Sequence, residues 1–138
     1  MTKIFCYGTL KRGYGNWARL LNGRAEFLGA AVSLDKRYVM WGNGFPILCE
    51  SRNGTGSYVK GELFNVPRVV LTNLDVLEGH PNWYRREPRK FFNLDTLRVE
   101  TADVYLQNVE DRMWRSQRPR IRPKHYVLEW NFKERKEP

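Results

Sequence analysis

Cysteine and histidine are scarce: Cys6, Cys49, His80 and His125 are the whole supply in 138 residues. Two thiols are too few for a disulfide framework, and neither histidine stands beside a cysteine or in the spacing of a metal cage, so no structural zinc is expected. A single Cys6–Cys49 bridge is the alternative to two buried thiols, and buried thiols are the expected state. Long apolar runs are also missing. Nothing approaches the roughly 18 residues of a membrane span. The opening Met1-Thr2-Lys3-Ile4-Phe5-Cys6-Tyr7 passes straight into strand-like sequence, without the basic, apolar and small-residue succession of a signal peptide. A cytoplasmic protein with no membrane partner is expected. Acid is the third shortage, with 15 Asp and Glu against 24 Lys and Arg and a formal charge of +9. Arg112, Arg115, Arg118, Arg120, Arg122 and Lys124 fall in one stretch that holds no acid after Asp111. Such a stretch is commonly a solvated loop; it is also where a nucleic acid or an acidic protein partner would bind.

Several nucleotide and hydrolase signatures are absent or incomplete. There is no Gly-x-Ser-x-Gly elbow. The segment Gly8-Thr9-Leu10-Lys11-Arg12-Gly13 has the outline of a phosphate loop, but Tyr14 stands where its lysine must be. Gly13-Tyr14-Gly15-Asn16-Trp17-Ala18 fits the loosest dinucleotide fingerprint, without a strand directly before it or a βαβ continuation after it. What remains is a glycine turn after a strand. It is either a plain tight turn or a concavity whose consecutive backbone N–H groups accept an anion.

The 41% hydrophobic and 14% aromatic content suffices for one core. No internal repeat or linker divides the chain, so a single domain over 1–138 is expected, with a basic C-terminal segment from about 107. Residues 3–7 read as a buried strand and 16–21 as a short helix stopped by Gly23, followed by a strand over 27–32. Residues 37–49 form an extended pair around the turn Gly42-Asn43-Gly44-Phe45-Pro46. After a polar turn over 51–56, Tyr58–Val66 alternates as a strand. Pro67 opens a helix that runs to about Glu78, with Gly79 as its stop. Residues 98–106 and 126–132 add extended or short helical segments. This order points to an α+β fold whose sheet is able to curl into a barrel.

On the helix after Pro67, Leu71, Leu74 and Leu77 mark an apolar face. Glu78 follows Leu74 by four residues and Leu71 by seven, so it projects along the core-facing edge. Asp75 lies toward the polar side. A carboxylate held against apolar surroundings loses hydration and holds its proton to higher pH, which makes it a proton shuttle near neutrality. The competing reading has Glu78 snorkelling out or pairing with Arg85 or Arg86. Glu62 is a second candidate acid on a strand, where outward charge is ordinary. His80, beside Pro81, reads as a capping or surface residue.

Three stretches, Tyr7-Gly8-Thr9-Leu10-Lys11-Arg12-Gly13, Val59-Lys60-Gly61-Glu62-Leu63-Phe64 and Leu74-Asp75-Val76-Leu77-Glu78-Gly79 followed by Tyr84-Arg85-Arg86, together resemble the γ-glutamyl cyclotransferase superfamily. The resemblance is nearest to its γ-glutamylamine cyclotransferase and AIG2-like branch, covers roughly residues 3–106, and leaves the basic segment from Gln107 unmatched. It implies a small mixed β-barrel flanked by short helices, with a cavity between the opening loop and the glutamate-bearing helix. It also implies Glu78 as catalytic acid and base, and Tyr7, Gly8, Thr9 and Leu10 as the loop that holds a small γ-glutamyl substrate. Tyr84 and Tyr105 are candidate aromatic walls of that cavity. The implied reaction releases 5-oxoproline when the substrate's own α-amino group attacks its γ-carbonyl. The nucleophile then belongs to the substrate, and no cofactor is required.

Overall fold

The computed structural model describes residues 1–42, 45–51, 56–107 and 120–131. Its frame is a closed barrel of five strands, β1 (Thr2–Cys6), β2 (Glu26–Ser33), β5 (Tyr58–Val66), β6 (Arg85–Asn93) and β7 (Arg98–Leu106). Around the barrel the order is β1-β7-β6-β2-β5, and β5 returns to β1. The β1–β7 contact is parallel and the other four are antiparallel. A second sheet is built from β3 (Tyr38–Trp41), β4 (Ile47–Glu50) and β8 (Arg120–Ile121), while β9 (Val127–Leu128) joins β5 in parallel. Two helices, α1 (Gly15–Leu20) and α2 (Arg68–Glu78), flank the barrel. This is the small mixed barrel with short helices that the family resemblance implied.

Alternation along β1 separates two apolar clusters, because successive side chains of a strand leave on opposite faces. Phe5 joins a cluster that draws on all five barrel strands through residues such as Ala31, Leu63, Phe91 and Val104, with Phe5 and Phe91 stacked at 4.0 Å between ring centroids. Ile4 and Cys6 face the other way, into a cluster with Leu21, Phe64, Val70, Leu74 and Tyr105 that seats the two helices against the barrel. Both cysteines are buried free thiols.

The helix after Pro67 appears where its apolar spacing places it. Pro67 is its N-cap, in an extended conformation with ψ 162, rather than a member of its first turn. Gly79 ends it in the left-handed region, with φ 64 and ψ 36, and the N–H groups of Gly79 and His80 turn back to the carbonyls of Val76 and Asp75. Only glycine adopts that conformation without penalty, and a Cβ here would also lie 2.9 Å from Cβ of Trp83.

One strand, β6, was not anticipated from the sequence. Its first six residues, Arg-Arg-Glu-Pro-Arg-Lys, are charged or proline and show no apolar alternation. The charges find partners: Arg86 meets Asp75 and Asp103, and Arg89 meets Glu50. Pro88 is tolerated because β2 pairs only with Phe91–Asn93, which leaves the first part of β6 an edge on that side. Of the basic stretch, Arg120, Arg122 and Lys124 are described, and Arg120 pairs in register with Trp41; Arg112, Arg115 and Arg118 lie outside the described residues. Among the described residues no helix is long and apolar enough to cross a membrane.

Leu74 is fully buried where α2 meets the barrel. Truncation to alanine removes its packing and leaves a void, so Leu74→Ala should lower the unfolding free energy by about 2–5 kcal/mol in urea titrations, with an unchanged m-value.

Candidate active site

A cavity of about 460 Å³ opens where the end of β1, the loop after it, the end of α2 and the connection between β3 and β4 converge. That is room for a small molecule. All seven residues singled out in the sequence, Tyr7, Gly8, Thr9, Leu10, Glu78, Tyr84 and Tyr105, line it. The second candidate acid does not. Glu62 instead braces the loop from behind, accepting the Arg12 backbone N–H at 2.7 Å and facing the Arg12 guanidinium at 3.6 Å.

The loop after β1 turns its carbonyls into the protein. Gly8 O accepts from the Lys11 N–H at 2.9 Å and Thr9 O from the Trp17 N–H at 3.1 Å. The N–H groups of Gly8, Thr9 and Leu10 donate to no described residue. Backbone donors of residues that line a cavity and find no acceptor among the described residues are suited to an anionic or carbonyl oxygen. Asn16, at the start of α1, donates from Nδ2 to the Thr9 hydroxyl at 2.7 Å and fixes that side chain. Gly8 owes its identity to crowding: a Cβ would come within 2.7 Å of Pro46 Cγ.

Glu78 is the last residue of α2, half-buried in the cavity wall. Neither arginine proposed as its partner reaches it. Arg85 pairs with Glu87 at 2.8 Å, while Arg86 pairs with Asp75 at 2.9 Å and Asp103 at 2.6 Å. Among the described residues no ion pair or hydrogen bond to the Glu78 carboxylate is formed. Burial alone acts on it and pushes its pKa up to about 7. The carboxylate therefore divides between its two protonation states near neutral pH.

The walls are tyrosines whose hydroxyls are engaged elsewhere. Tyr7 donates to the Tyr105 carbonyl at 2.8 Å, Tyr84 to the Pro46 carbonyl at 3.3 Å, and Tyr105 to Asp75 Oδ1 at 2.7 Å. Burial, reinforced by the Tyr84 and Glu78 charges, holds the Tyr7 hydroxyl protonated well above its ordinary range, and burial with the Asp75 contact does the same for Tyr105. Asp75 is thus more than a residue of the polar face. Burial would raise its pKa, but hydrogen bonds from Arg86 and Tyr105 outweigh that and hold it below the usual value. His80 accepts the Arg86 backbone N–H on Nδ1 at 3.0 Å and so braces the start of β6. Among the described residues no three His, Cys, Asp or Glu side chains gather as a metal site needs.

Phe45, Pro46, Leu77 and Trp83 also line the cavity and were not singled out in the sequence. Phe45 and Pro46 had been assigned only to a turn, and nothing in their local spacing announces a contact with a loop some 38 residues away. Leu77 had been assigned to the buried face of α2, yet it is exposed at the cavity.

The family model for γ-glutamyl cyclotransferase, AIG2-like, matches residues 4–128. The chain belongs to this γ-glutamyl cyclotransferase, AIG2-like family. The match runs beyond the motif-bearing part and reaches across the basic stretch that carried no motif. Two relatives from Danio rerio are γ-glutamylaminecyclotransferase B, 34% identical over 125 residues (83% of this chain, 63% of the relative), and γ-glutamylaminecyclotransferase C, 33% identical over 111 residues (74% and 72%). The crystal structure of an AIG2-like protein from Mus musculus superposes with a TM-score of 0.69 at 29% identity, covering 78% of this chain and 77% of that one.

The Glu78 carboxylate, unpaired among the described residues, has a signature in stability. The folded pKa of Glu78, about 7, lies above its ordinary 4.5, so the folded state prefers the protonated form. Below pH 4.5 both folded and unfolded chains carry the proton and nothing is lost. As pH rises from there through 7, the native state must hold a desolvated charge, at a cost on the order of 3 kcal/mol. Glu78→Gln should therefore melt with wild type at pH 4 and above it at pH 8.5, by differential scanning calorimetry.

Proposed function

We propose that this chain is a γ-glutamyl cyclotransferase that releases 5-oxoproline from a γ-glutamylamine or γ-glutamyl peptide. The observation that carries the reading is Glu78, a half-buried carboxylate without an ion-pair partner among the described residues, on the same cavity as the N–H groups of Gly8, Thr9 and Leu10. Family membership and the γ-glutamylaminecyclotransferase names of the Danio rerio relatives support it.

In this mechanism the γ-glutamyl part lies folded in the cavity with its α-ammonium beside Glu78. The ionised carboxylate takes a proton from the ammonium, and the freed amine attacks the γ-carbonyl carbon to close a five-membered ring. As the C–N bond to the leaving amine breaks, protonated Glu78 gives its proton to the departing nitrogen. Across the whole reaction the ring nitrogen loses two protons, and the leaving amine carries them away as an ammonium. A pKa near 7 suits a group that must accept and donate in one cycle. The loop N–H groups supply donors for the α-carboxylate or for the oxyanion at the γ-carbon, an effect of about 10² to 10³ in rate per oxyanion donor. Holding the chain folded adds an orientation effect.

Wild-type protein should release 5-oxoproline from a panel of γ-glutamylamines, γ-glutamyl dipeptides and glutathione, and Glu78→Gln should lose about 10²–10⁴ in kcat/KM on the best of them. For wild type, kcat/KM should rise with pH and level off above about 7, where the Glu78 carboxylate is ionised. Release by Glu78→Gln at the wild-type rate, or a folded wild type that is silent across the panel, would overturn the proposal.

A further inference from the structure

A second hollow, of about 480 Å³, shares no residue with the active-site cavity. It is lined by Lys60 of β5, by Arg122, Lys124 and His125 ahead of β9, and by Glu129 and Asn131 after it. Glu129 is the one acid there, and it is already engaged, by Lys60 at 3.5 Å and by Asn131 Nδ2 at 2.8 Å. Arg122 and Lys124 are exposed and form no ion pair among the described residues. The turn beside this hollow is built against its local preference. Lys124 and Val127 exchange both backbone hydrogen bonds, at 2.9 and 3.0 Å, which leaves His125 and Tyr126 as a two-residue turn. Both take positive φ, 52 and 66, where such a turn ordinarily takes Asn-Gly. Strain of this kind persists where the surrounding structure holds it, and it is concentrated at sites of use. Here β5 holds it, through the Tyr58 N–H on the Tyr126 carbonyl at 2.9 Å. The result presents the Tyr126 ring, with the residue 68% exposed and the Lys36 ammonium 4.3 Å from the ring centroid.

We propose that this face binds single-stranded nucleic acid, with Lys36, Lys60, Arg122 and Lys124 on the phosphates and Tyr126 stacked on a base. The site stands apart from the cyclotransferase reading and does not depend on it. Cations alone fit any anion, and the aromatic residue among them narrows the choice. A compact inorganic anion would use the charges and leave the ring idle. An acidic peptide likewise brings carboxylates and no planar face of its own. A nucleobase brings a π-face, and it is open to stacking on a side chain only when it is unpaired, which selects a single strand over a duplex. One such stack strengthens binding by about 5- to 150-fold. The formal charge of +9 on the chain adds a long-range attraction for a polyanion.

The test is fluorescence anisotropy of a labelled oligothymidylate of about 12 nucleotides, titrated with the full chain. Affinity should fall about 20- to 50-fold between 50 and 200 mM salt, as three or four neutralised phosphates on a single strand require. Arg122→Glu combined with Lys124→Glu should weaken binding about tenfold or more. Tyr126→Leu, which keeps an apolar side chain but removes the ring, should weaken it about 5- to 150-fold. His125→Asn combined with Tyr126→Gly installs the residues that the turn prefers. That variant should melt no lower than wild type and lose as much affinity as Tyr126→Leu, which separates lost stacking from lost folding. Release of 5-oxoproline should be unchanged in all three variants, because none of these positions lines the active-site cavity. No binding at 50 mM salt, or binding that none of the variants weakens, overturns the proposal. Competition by poly-glutamate that matches the oligonucleotide charge for charge also overturns it, in favour of an acidic protein partner. Equal competition by inorganic tripolyphosphate overturns it in favour of a compact anion. A chain that binds the oligonucleotide as described but releases no 5-oxoproline keeps this site and loses only the cyclotransferase reading.

Discussion

The double pairing of β1 is the constraint on which the rest depends. Its Thr2–Cys6 segment bonds antiparallel to β5 on one side and parallel to β7 on the other, and without it the five strands would be an open sheet with two long edges. Closure has two consequences for the site. It directs alternate β1 residues into separate cores, so that one strand both fills the barrel and seats α2. It also fixes the point where the chain leaves the barrel wall, and the next residues are the loop that lines the cavity. The loop inherits its position from the register of β1 against Glu62–Val66 of β5 and Asp103 of β7, more than its own few bonds could determine.

Glu78 is placed by the other side of the same frame. Arg86 on β6 joins Asp75 on α2 to Asp103 on β7, and Asp75 also accepts from Tyr105, so the last turn of α2 is tied to two strands at once. These ion pairs are partly exposed, and their value lies more in geometry than in stability. They occupy Arg86, and Arg85, the other arginine nearest in sequence to Glu78, pairs with Glu87. Among the described residues the catalytic candidate is thereby left without a counter-charge, and burial sets its proton affinity.

The parts legible in the sequence were those governed by local rules. The β1 strand, the α2 helix and its glycine stop follow from spacing and from the conformations open to glycine and proline, and the loop and Glu78 follow from motifs that resemble the family. β6 was hidden because its charged half gains its stability sideways, from Glu50, Asp75 and Asp103, which no window along the chain reveals. Asp75 was assigned to the polar face because its partners Arg86 and Tyr105 are 11 and 30 residues away. One part of the cavity lining was hidden for the same reason, since Phe45 and Pro46 acquire meaning only when the second sheet lays them over Gly8.

That last contact divides the cavity between two structural origins. The floor belongs to the closed barrel and its helix, whose residues answer to one another through packing and cannot drift independently. Phe45 and Pro46 are delivered by a hairpin of the smaller sheet, which is fastened to the barrel by the burial of Tyr38, Met40 and Leu48 in its core cluster, by the Arg89–Glu50 ion pair and by the Tyr84 hydroxyl on the Pro46 carbonyl. In a chain built this way only the tip of the hairpin is open to change, because the strands below it belong to the core. Diversification within such a lineage would then proceed at the lip of the vessel, with the base held constant.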